Sequence, residues 1–174
     1  MQDVIKAYNR GVAFTNFGDA DSAIIEFNEA IRLDGEYAKA YCNRGTAYLQ
    51  KGDVQRAVRD LCEAIRLNPQ YARAYRSRGI AYEETGDSAR AKADFDEAIR
   101  LNPSDAEAHY DRGSLYYLGG KVDDAISDYS EAIRLDPEHV DAYCARGLAY
   151  RQKKQWDRAE GDLEKAEQLR NARK

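Results

Sequence analysis

The sequence predicts an all-α protein made of five helical hairpins, and three observations lead to this fold class. The segment from Ala106 to His139 finds a recognisable copy of itself when the sequence is shifted by 34 residues. Apolar residues within each copy recur at spacings of three and four, which is typical of amphipathic helices. The copies follow one another without a gap, so we expect ten helices in one array over residues 1–174, with repeats at residues 4–37, 38–71, 72–105, 106–139 and 140–173.

A break near the middle of each copy separates its two predicted helices. Glycine followed by aspartate occupies this break in the first three copies, at residues 18–19, 52–53 and 86–87, and Gly119-Gly120 occupies it in the fourth. Glycine can close the first helix, and aspartate can cap the second. Proline at the end of a copy stops its second helix. The three prolines of the chain are 34 residues apart, at Pro69, Pro103 and Pro137.

Small residues indicate where helices approach each other closely. Glycine inside a helix costs about 1 kcal/mol relative to alanine, so its recurrence in every copy indicates a packing role. The glycine column comprises Gly11, Gly45, Gly79, Gly113 and Gly147. We expect a column of alanines in the second helices to lie opposite it: Ala23, Ala57, Ala91, Ala125 and Ala159. Wider spaces between hairpins are expected to be filled by Tyr41, Tyr48, Tyr75, Tyr82, Tyr116, Tyr143 and Tyr150.

These columns resemble the tetratricopeptide repeat family. The resemblance rests on a pattern that recurs in every copy and that the fifth copy shows at Tyr143, Gly147, Tyr150, Ala159, Leu163 and Ala166. It implies antiparallel helix pairs stacked into a right-handed superhelical solenoid, whose first helices line a concave groove that usually holds a peptide or protein. The resemblance does not imply that the protein is an enzyme. The family's usual bulky apolar residue before the glycine is arginine in every copy of this chain.

An acid follows each of these arginines at a distance of 16 residues. Because the turn folds the second helix back on the first, we predict a ladder of partly buried ion pairs between Arg10 and Glu26, Arg44 and Asp60, Arg78 and Asp94, Arg112 and Asp128, and Arg146 and Asp162. The alternative is an arginine row that binds phosphates or carboxylates. We favour the ion pairs, since each arginine has its own acid and a buried charge without a partner is costly.

The fifth copy differs from the others on one face of its second helix. Glu160 and Glu167 occupy positions that are isoleucine in the first and fourth copies. A terminal repeat needs a polar outer face, so these residues, with Lys165 and Gln168, are interpreted as a cap. Trp156 is expected to pack within the last hairpin.

Charge and residue content weigh against several classes of function. The net charge of -4 disfavours binding to nucleic acid or anionic membranes. No apolar stretch approaches the roughly 18 residues of a membrane span, and the first repeat begins too early for a signal peptide. We therefore expect a soluble, cytoplasmic protein.

Catalytic and metal-binding patterns are not found in the sequence. The three cysteines form no C-x-x-C pair, which argues against both a disulfide framework and zinc. His109 falls in a column otherwise occupied by core tyrosines, and His139 falls in a loop between hairpins. We therefore expect no enzyme, no cofactor and no metal site.

Positions of the first helices that do not face the core are the candidate binding surface. Lys39, Arg73 and Arg76 make the early part of this surface basic, and Glu107, Asp111 and Asp141 make the later part acidic. The full candidate set, called the groove set below, comprises Tyr8, Asn9, Lys39, Asn43, Thr46, Leu49, Arg73, Arg76, Ser77, Ile80, Tyr110, Asp111, Ser114 and Tyr117.

Two functions of different classes fit this surface. The first is a scaffold that binds a protein or extended peptide, with an acidic ligand segment near Lys39 and Arg73 and a basic segment near Asp111. The second is a homo-oligomeric array whose copies either stack end to end, through an apolar end at Ile5, Ala7 and Phe17, or dimerise through the convex face. A surface with no ligand of its own remains open beside both, because exposed charges are weak evidence for binding.

Overall fold

The computed structural model describes residues 2–172, which contain ten helices and no strand. The first and last residues of the predicted array, 1 and 174, lie outside this range. The predicted end of the fifth repeat, residue 173, lies outside it as well. Two compact units divide the chain, Met1–Leu101 and Asn102–Lys174. The first unit contains α1 Gln2–Asn16, α2 Ala20–Leu33, α3 Ala38–Gln50, α4 Val54–Leu67, α5 Ala72–Glu84 and α6 Ser88–Leu101. The second unit contains α7 Ala106–Leu118, α8 Val122–Leu135, α9 Val140–Gln152 and α10 Trp156–Ala172.

Consecutive helices pair as α1 with α2, α3 with α4 and α5 with α6, and in the second unit as α7 with α8 and α9 with α10. The predicted all-α fold of five helix-turn-helix repeats is confirmed. The turns use the expected residues, since Gly18, Gly52 and Gly86 have φ angles of 75°, 73° and 76°. At α2, the Asp19 carboxylate accepts a hydrogen bond from the backbone N–H of Ser22 at 3.0 Å. A left-handed residue and a capping aspartate therefore separate the helices of these hairpins.

The glycine column makes room for large side chains of the second helices. A Cβ added at Gly79 would lie 2.6 Å from the Phe95 ring, and one at Gly45 would lie 2.9 Å from Cγ of Leu61. Phe95 and Leu61 are fully buried. The alanines predicted opposite this column also come close to it, since the backbone oxygens of Ala57 and Ala159 lie 3.2 and 3.3 Å from a Cβ added at Gly45 and Gly147. The space beside each glycine is filled by a large side chain four positions after the alanine, such as Leu61 after Ala57, which the sequence analysis did not predict.

The tyrosines predicted to fill spaces between hairpins are half-buried. Their rings pack at the margin of the core, with arginine guanidinium groups above them. The Arg90 guanidinium lies 4.4 Å from the centre of the Tyr82 ring, and that of Arg78 lies 5.7 Å from the Tyr75 ring. Stacking on arginine explains why tyrosine suits these positions: the ring face meets a cation and its hydroxyl can reach water.

The predicted ladder of ion pairs is confirmed in all five hairpins. Arg44, Arg78, Arg112 and Arg146 each donate two hydrogen bonds to their aspartate at 2.7 or 2.8 Å. The Arg10–Glu26 pair, at 2.7 Å, is more open, since 55% of the Arg10 side chain is exposed.

Arginines of this ladder also bind the preceding hairpin, which sequence reasoning did not foresee. Arg44 Nη1 donates to Asn28 Oδ1 at 2.6 Å, and Arg146 Nη1 donates to Ser130 Oγ at 3.0 Å. Arg78 Nη1 lies 3.2 Å from Cys62 Sγ. Each of these guanidinium groups therefore connects three helices of its unit, which supports the structural interpretation of the column.

The first and fifth repeats agree only in part with the predictions made for them. Glu160, Glu167, Lys165 and Gln168 are exposed, as expected of a polar terminal face. The prediction for Trp156 is wrong, because this first residue of α10 is 60% exposed. In the first repeat, Ile5 and Phe17 are exposed whereas Ala7 is buried, so Ala7 does not belong to the apolar end that we expected.

Candidate peptide-binding surfaces

The basic part of the groove set lies on α3 and α5 in the first unit. Lys39 and Arg73 are exposed, and neither forms a salt bridge within residues 2–172. Arg76, one turn after Arg73, is half-buried. Two of the three predicted cations are therefore open to a ligand.

Asn43 is the most constrained polar residue of this surface. Its side-chain amide donates a hydrogen bond to Tyr8 Oη at 2.9 Å, which connects α3 to α1. The Tyr8 ring is held in turn against Tyr37, at 5.1 Å between ring centres. Asn43 is only 6% exposed, and its Oδ1 atom has no hydrogen-bond partner in the described part of the chain. An acceptor in this state is costly, so a ligand N–H that reached it would be favoured.

Ser77 lies inside the packing between α3 and α5, although the sequence suggested a position away from the core. Ser77 is buried, as is the adjacent Cys42 thiol. Burial raises the pKa of Cys42, an effect opposed in part by the Arg73 charge and by hydrogen bonds with Tyr71 and Ser77. Cys42 on α3 and Ser77 on α5 therefore lie buried beneath the surface.

The other first-unit members of the groove set are more accessible. Asn9 is exposed, and Thr46, Leu49 and Ile80 are half-buried. The Thr46 hydroxyl donates to the Cys42 carbonyl at 3.0 Å, and Leu49 packs against the core cluster around Leu61. Their remaining surface adds polar and apolar contact area beside Lys39 and Arg73.

The second unit carries the acidic part of the groove set on α7. Tyr110, Asp111, Ser114 and Tyr117 are all half-buried. The Tyr110 ring lies 5.9 Å from the Tyr129 ring, and Ser114 Oγ donates to the Tyr110 carbonyl at 3.0 Å. Burial raises the pKa of Tyr110, and the negative charges of Asp141, Asp111 and Glu107 act in the same direction. This surface therefore presents tyrosine rings among carboxylates.

His139 is a neighbour of this surface that sequence reasoning missed. It is buried, and as the N-cap of α9 its Nδ1 accepts a hydrogen bond from the Ala142 N–H at 3.4 Å. Its ring lies 5.0 Å from that of Tyr110, and its Nε2 lies 3.8 Å from a carboxylate oxygen of Glu107. Its position three residues before Ala142 at a helix start was the signal that could have identified a cap.

His109 is buried, as predicted. Its Nε2 lies 3.3 Å from the Pro103 carbonyl oxygen, and its Nδ1 lies 3.5 Å from Asp128 Oδ1. Burial tends to raise the pKa of Asp128, but the hydrogen bonds from Arg112, together with the nearby His109 ring, outweigh that effect and lower it. These contacts give His109 a structural position.

Metal-binding clusters and membrane-spanning helices are both absent from residues 2–172. No group of three or more histidine, cysteine, aspartate or glutamate side chains is placed to hold a metal ion there. No helix in the same residues is both long enough and apolar enough to cross a bilayer.

Family comparisons match most of the chain. Residues 78–137 and 119–173 match the family described as Tetratricopeptide repeat, and residues 11–52 and 45–86 match the one described as TPR repeat. The chain belongs to the tetratricopeptide repeat family. Proteins of this family (TPR proteins) are generally protein-interaction scaffolds and typically not enzymes. A search of curated proteins finds no significant match.

Solved structures with the same fold cover nearly the whole chain. The crystal structure of MamA is 28% identical, with a TM-score of 0.78 over 94% of this chain and 95% of that one. A thermophilic TPR protein of Thermus thermophilus has 22% identity and a TM-score of 0.83 over 95% and 91% of the two chains. YrrB, a TPR protein with an unusual peptide-binding site, has 24% identity and a TM-score of 0.69 over 96% and 86%.

Proposed function

We propose that this TPR protein is a scaffold that binds an extended peptide or a peptide-like segment of a partner protein through its first helices. The observation that carries the proposal is the arrangement on α3. Lys39 is exposed without a salt bridge, one turn before the buried Asn43, whose Oδ1 lacks a partner within residues 2–172. The Lys39 charge attracts a carboxylate, and the buried Asn43 Oδ1 would gain a hydrogen bond from a peptide N–H if ligand binding uncovered it.

The first unit is suited to an acidic ligand segment. Arg73 supplies a second free cation, and half-buried Leu49 and Ile80 offer apolar contact. The second unit is suited to a basic segment, because Tyr110 and Tyr117 lie on the same helix as Glu107 and Asp111. Aromatic rings combined with charge complementarity are typical of surfaces that bind proteins.

The double variant Lys39→Glu, Arg73→Glu is expected to bind acidic peptides about tenfold more weakly or worse, since two attractive charges become repulsive. An array of short peptides with acidic, basic and neutral compositions measures capture by the native protein and by the variant. Acidic peptides retained by the native protein should be lost by the variant, whereas capture of basic peptides should persist or increase.

The matched control is Arg32→Glu, Arg66→Glu, which makes the same change in net charge on exposed faces of α2 and α4. It should leave capture of acidic peptides almost unchanged. Unchanged capture by the Lys39, Arg73 variant, or an equal loss in both variants, would contradict a specific site on α3 and α5.

Self-association is the second candidate function, and exposed apolar side chains in the first repeat favour it. Phe17 is 86% exposed and Ile25 is 65% exposed. If these residues form an interface, Phe17→Glu, Ile25→Glu should convert an oligomer to a monomer because it places charges in an apolar contact. Sedimentation equilibrium of both proteins tests this, and a native protein that stays monomeric at high concentration would refute it. A cytoplasmic location and the absence of nucleic-acid binding stay predictions.

A further inference from the structure

A cleft of about 540 Å³ lies in the first unit between α4 and the segment that joins α5 to α6. Its lining includes Val54, Gln55 and Val58 on one side and Tyr82 and Thr85 on the other. It shares no residue with the groove set, so its role is independent of the function proposed above.

At two other junctions between repeats, the residues at the equivalent positions form an ion pair. Lys51 binds Asp21 between the first and second repeats, and Lys153 binds Asp123 between the fourth and fifth. Thr85 is 34 residues after Lys51, and Gln55 is 34 residues after Asp21. The junction between the second and third repeats therefore lacks both charges of this pair, and the sequence of the third and fourth repeats, with Ala89 and Gly119 at these positions, lacks them too. The cleft lies at a junction where this ion pair is not formed.

Arg59 is the cation at the mouth of this cleft that has no acidic partner within residues 2–172. Its one interaction there is a long hydrogen bond from Nε to the Gln55 carbonyl at 3.4 Å. Two nearby arginines are neutralised, Arg56 by Asp53 at 2.9 Å and Arg90 by Asp87 at 2.6 Å. The corresponding residues of the other repeats are uncharged: Ile25, Ala93, Ser127 and Gly161. Arg59 therefore adds an uncompensated positive charge in this repeat alone.

The floor of the cleft is apolar and firmly held. Val54 and Val58 pack against the core cluster around Leu61, and the Tyr82 ring is covered by the Arg90 guanidinium at 4.4 Å. Arg59 also lines a second cleft of about 400 Å³, together with Arg44, Tyr48, Arg56 and Asp60, the acid that pairs with Arg44. An apolar cleft thus adjoins an arginine-rich one, with Arg59 shared by both.

We propose that the cleft between the second and third repeats binds a linear acidic peptide segment. One apolar side chain of the segment enters between Val58 and Tyr82, and a neighbouring carboxylate contacts the Arg59 guanidinium. Charge complementarity supports an acidic partner, because Arg59 is the local charge without a counterion.

A hexapeptide of acidic residues around a single phenylalanine is the probe. Titrated into isotopically labelled protein, it should shift the NMR signals of the Val54 and Val58 methyl groups and of the Thr85 amide. A hexapeptide with alanine in place of phenylalanine, and one with lysine in place of the acids, should each bind about tenfold more weakly or worse, because each lacks one of the two contacts.

The double variant Gln55→Asp, Thr85→Lys tests the cleft most directly, because it rebuilds the ion pair found at the first and last junctions. It should keep the native circular dichroism spectrum and melting temperature, and lose the probe by about tenfold or more. Arg59→Gln should also weaken binding about tenfold, whereas Arg66→Gln, an exposed arginine later on α4, should not.

Three results would overturn the proposal. The first is the absence of shifts in the cleft at about 1 mM probe, a concentration that detects even weak complexes. The second is undiminished binding by Gln55→Asp, Thr85→Lys. The third is a set of shifts confined to Lys39 and Arg73, which would assign the probe to the groove set and leave the proposed function standing without the cleft.

Discussion

Replacing Arg78 with methionine is expected to lower the free energy of unfolding by about 3 to 5 kcal/mol. Methionine keeps most of the aliphatic volume but leaves the Asp94 carboxylate without its partner. That carboxylate belongs to a residue that is 6% exposed, and both its oxygens accept hydrogen bonds from Arg78 at 2.8 Å. The hydrogen bond with Asp94 also raises the pKa of Arg78 against the opposing effect of burial, so this guanidinium keeps its charge in the native protein. Urea unfolding followed by circular dichroism measures the loss.

Arg10→Met is the matched control, since Arg10 has the equivalent position in the first repeat and a mostly exposed side chain. Water screens that pair and can hydrate Glu26 when the arginine is removed, so the loss should be clearly smaller. The double variant Arg78→Met, Asp94→Leu should recover most of the stability, because it leaves no unpaired charge. Equal losses for Arg78→Met and Arg10→Met would contradict the assigned role of burial.

Replacing Phe95 with alanine is expected to lower the free energy of unfolding by about 3 to 5 kcal/mol. The ring is fully buried on α6 and packs directly over Gly79 of α5, which has no side chain to fill the space that the ring would leave. A cavity would therefore persist in the third hairpin. The same urea titration measures this change, and an unaltered m-value would show that the surface exposed on unfolding is the same.

Phe17→Ala makes the same chemical change at a ring that is 86% exposed. It removes little buried area, so the stability of the monomer should change by less than about 0.5 kcal/mol. A loss for Phe95→Ala as small as that for Phe17→Ala would mean that the ring contributes no packing to the third hairpin.

Several features of the fold could be predicted from the sequence because they repeat locally. The positive φ of Gly52 and the cap formed by Asp53 depend on the residues of one turn. The pairing of Arg44 with Asp60 follows from a constant spacing across that turn. Repetition strengthens each inference, since an interpretation of one copy can be checked against the others.

Parts of the candidate site could not be predicted in the same way. Asn43 and Ser77 occupy equivalent positions in adjacent repeats, and both proved to be buried. Their burial depends on the side chain that the preceding repeat places against them, which is Tyr8 for Asn43 and Cys42 for Ser77. Column patterns describe one repeat at a time, so they do not show how neighbouring repeats share space.

The sequence by itself determined the family, the helical hairpins and the ion pair within each hairpin, because a 34-residue period and short-range spacing control all three. Tertiary structure alone decided which large side chain covers each glycine, which arginines reach the preceding hairpin and where a junction stays open. The cleft beside Arg59 shows the physical reason. Gln55 and Thr85 are ordinary polar residues in the sequence, and their importance arises only when packing brings together the two positions that form an ion pair at the first and last junctions.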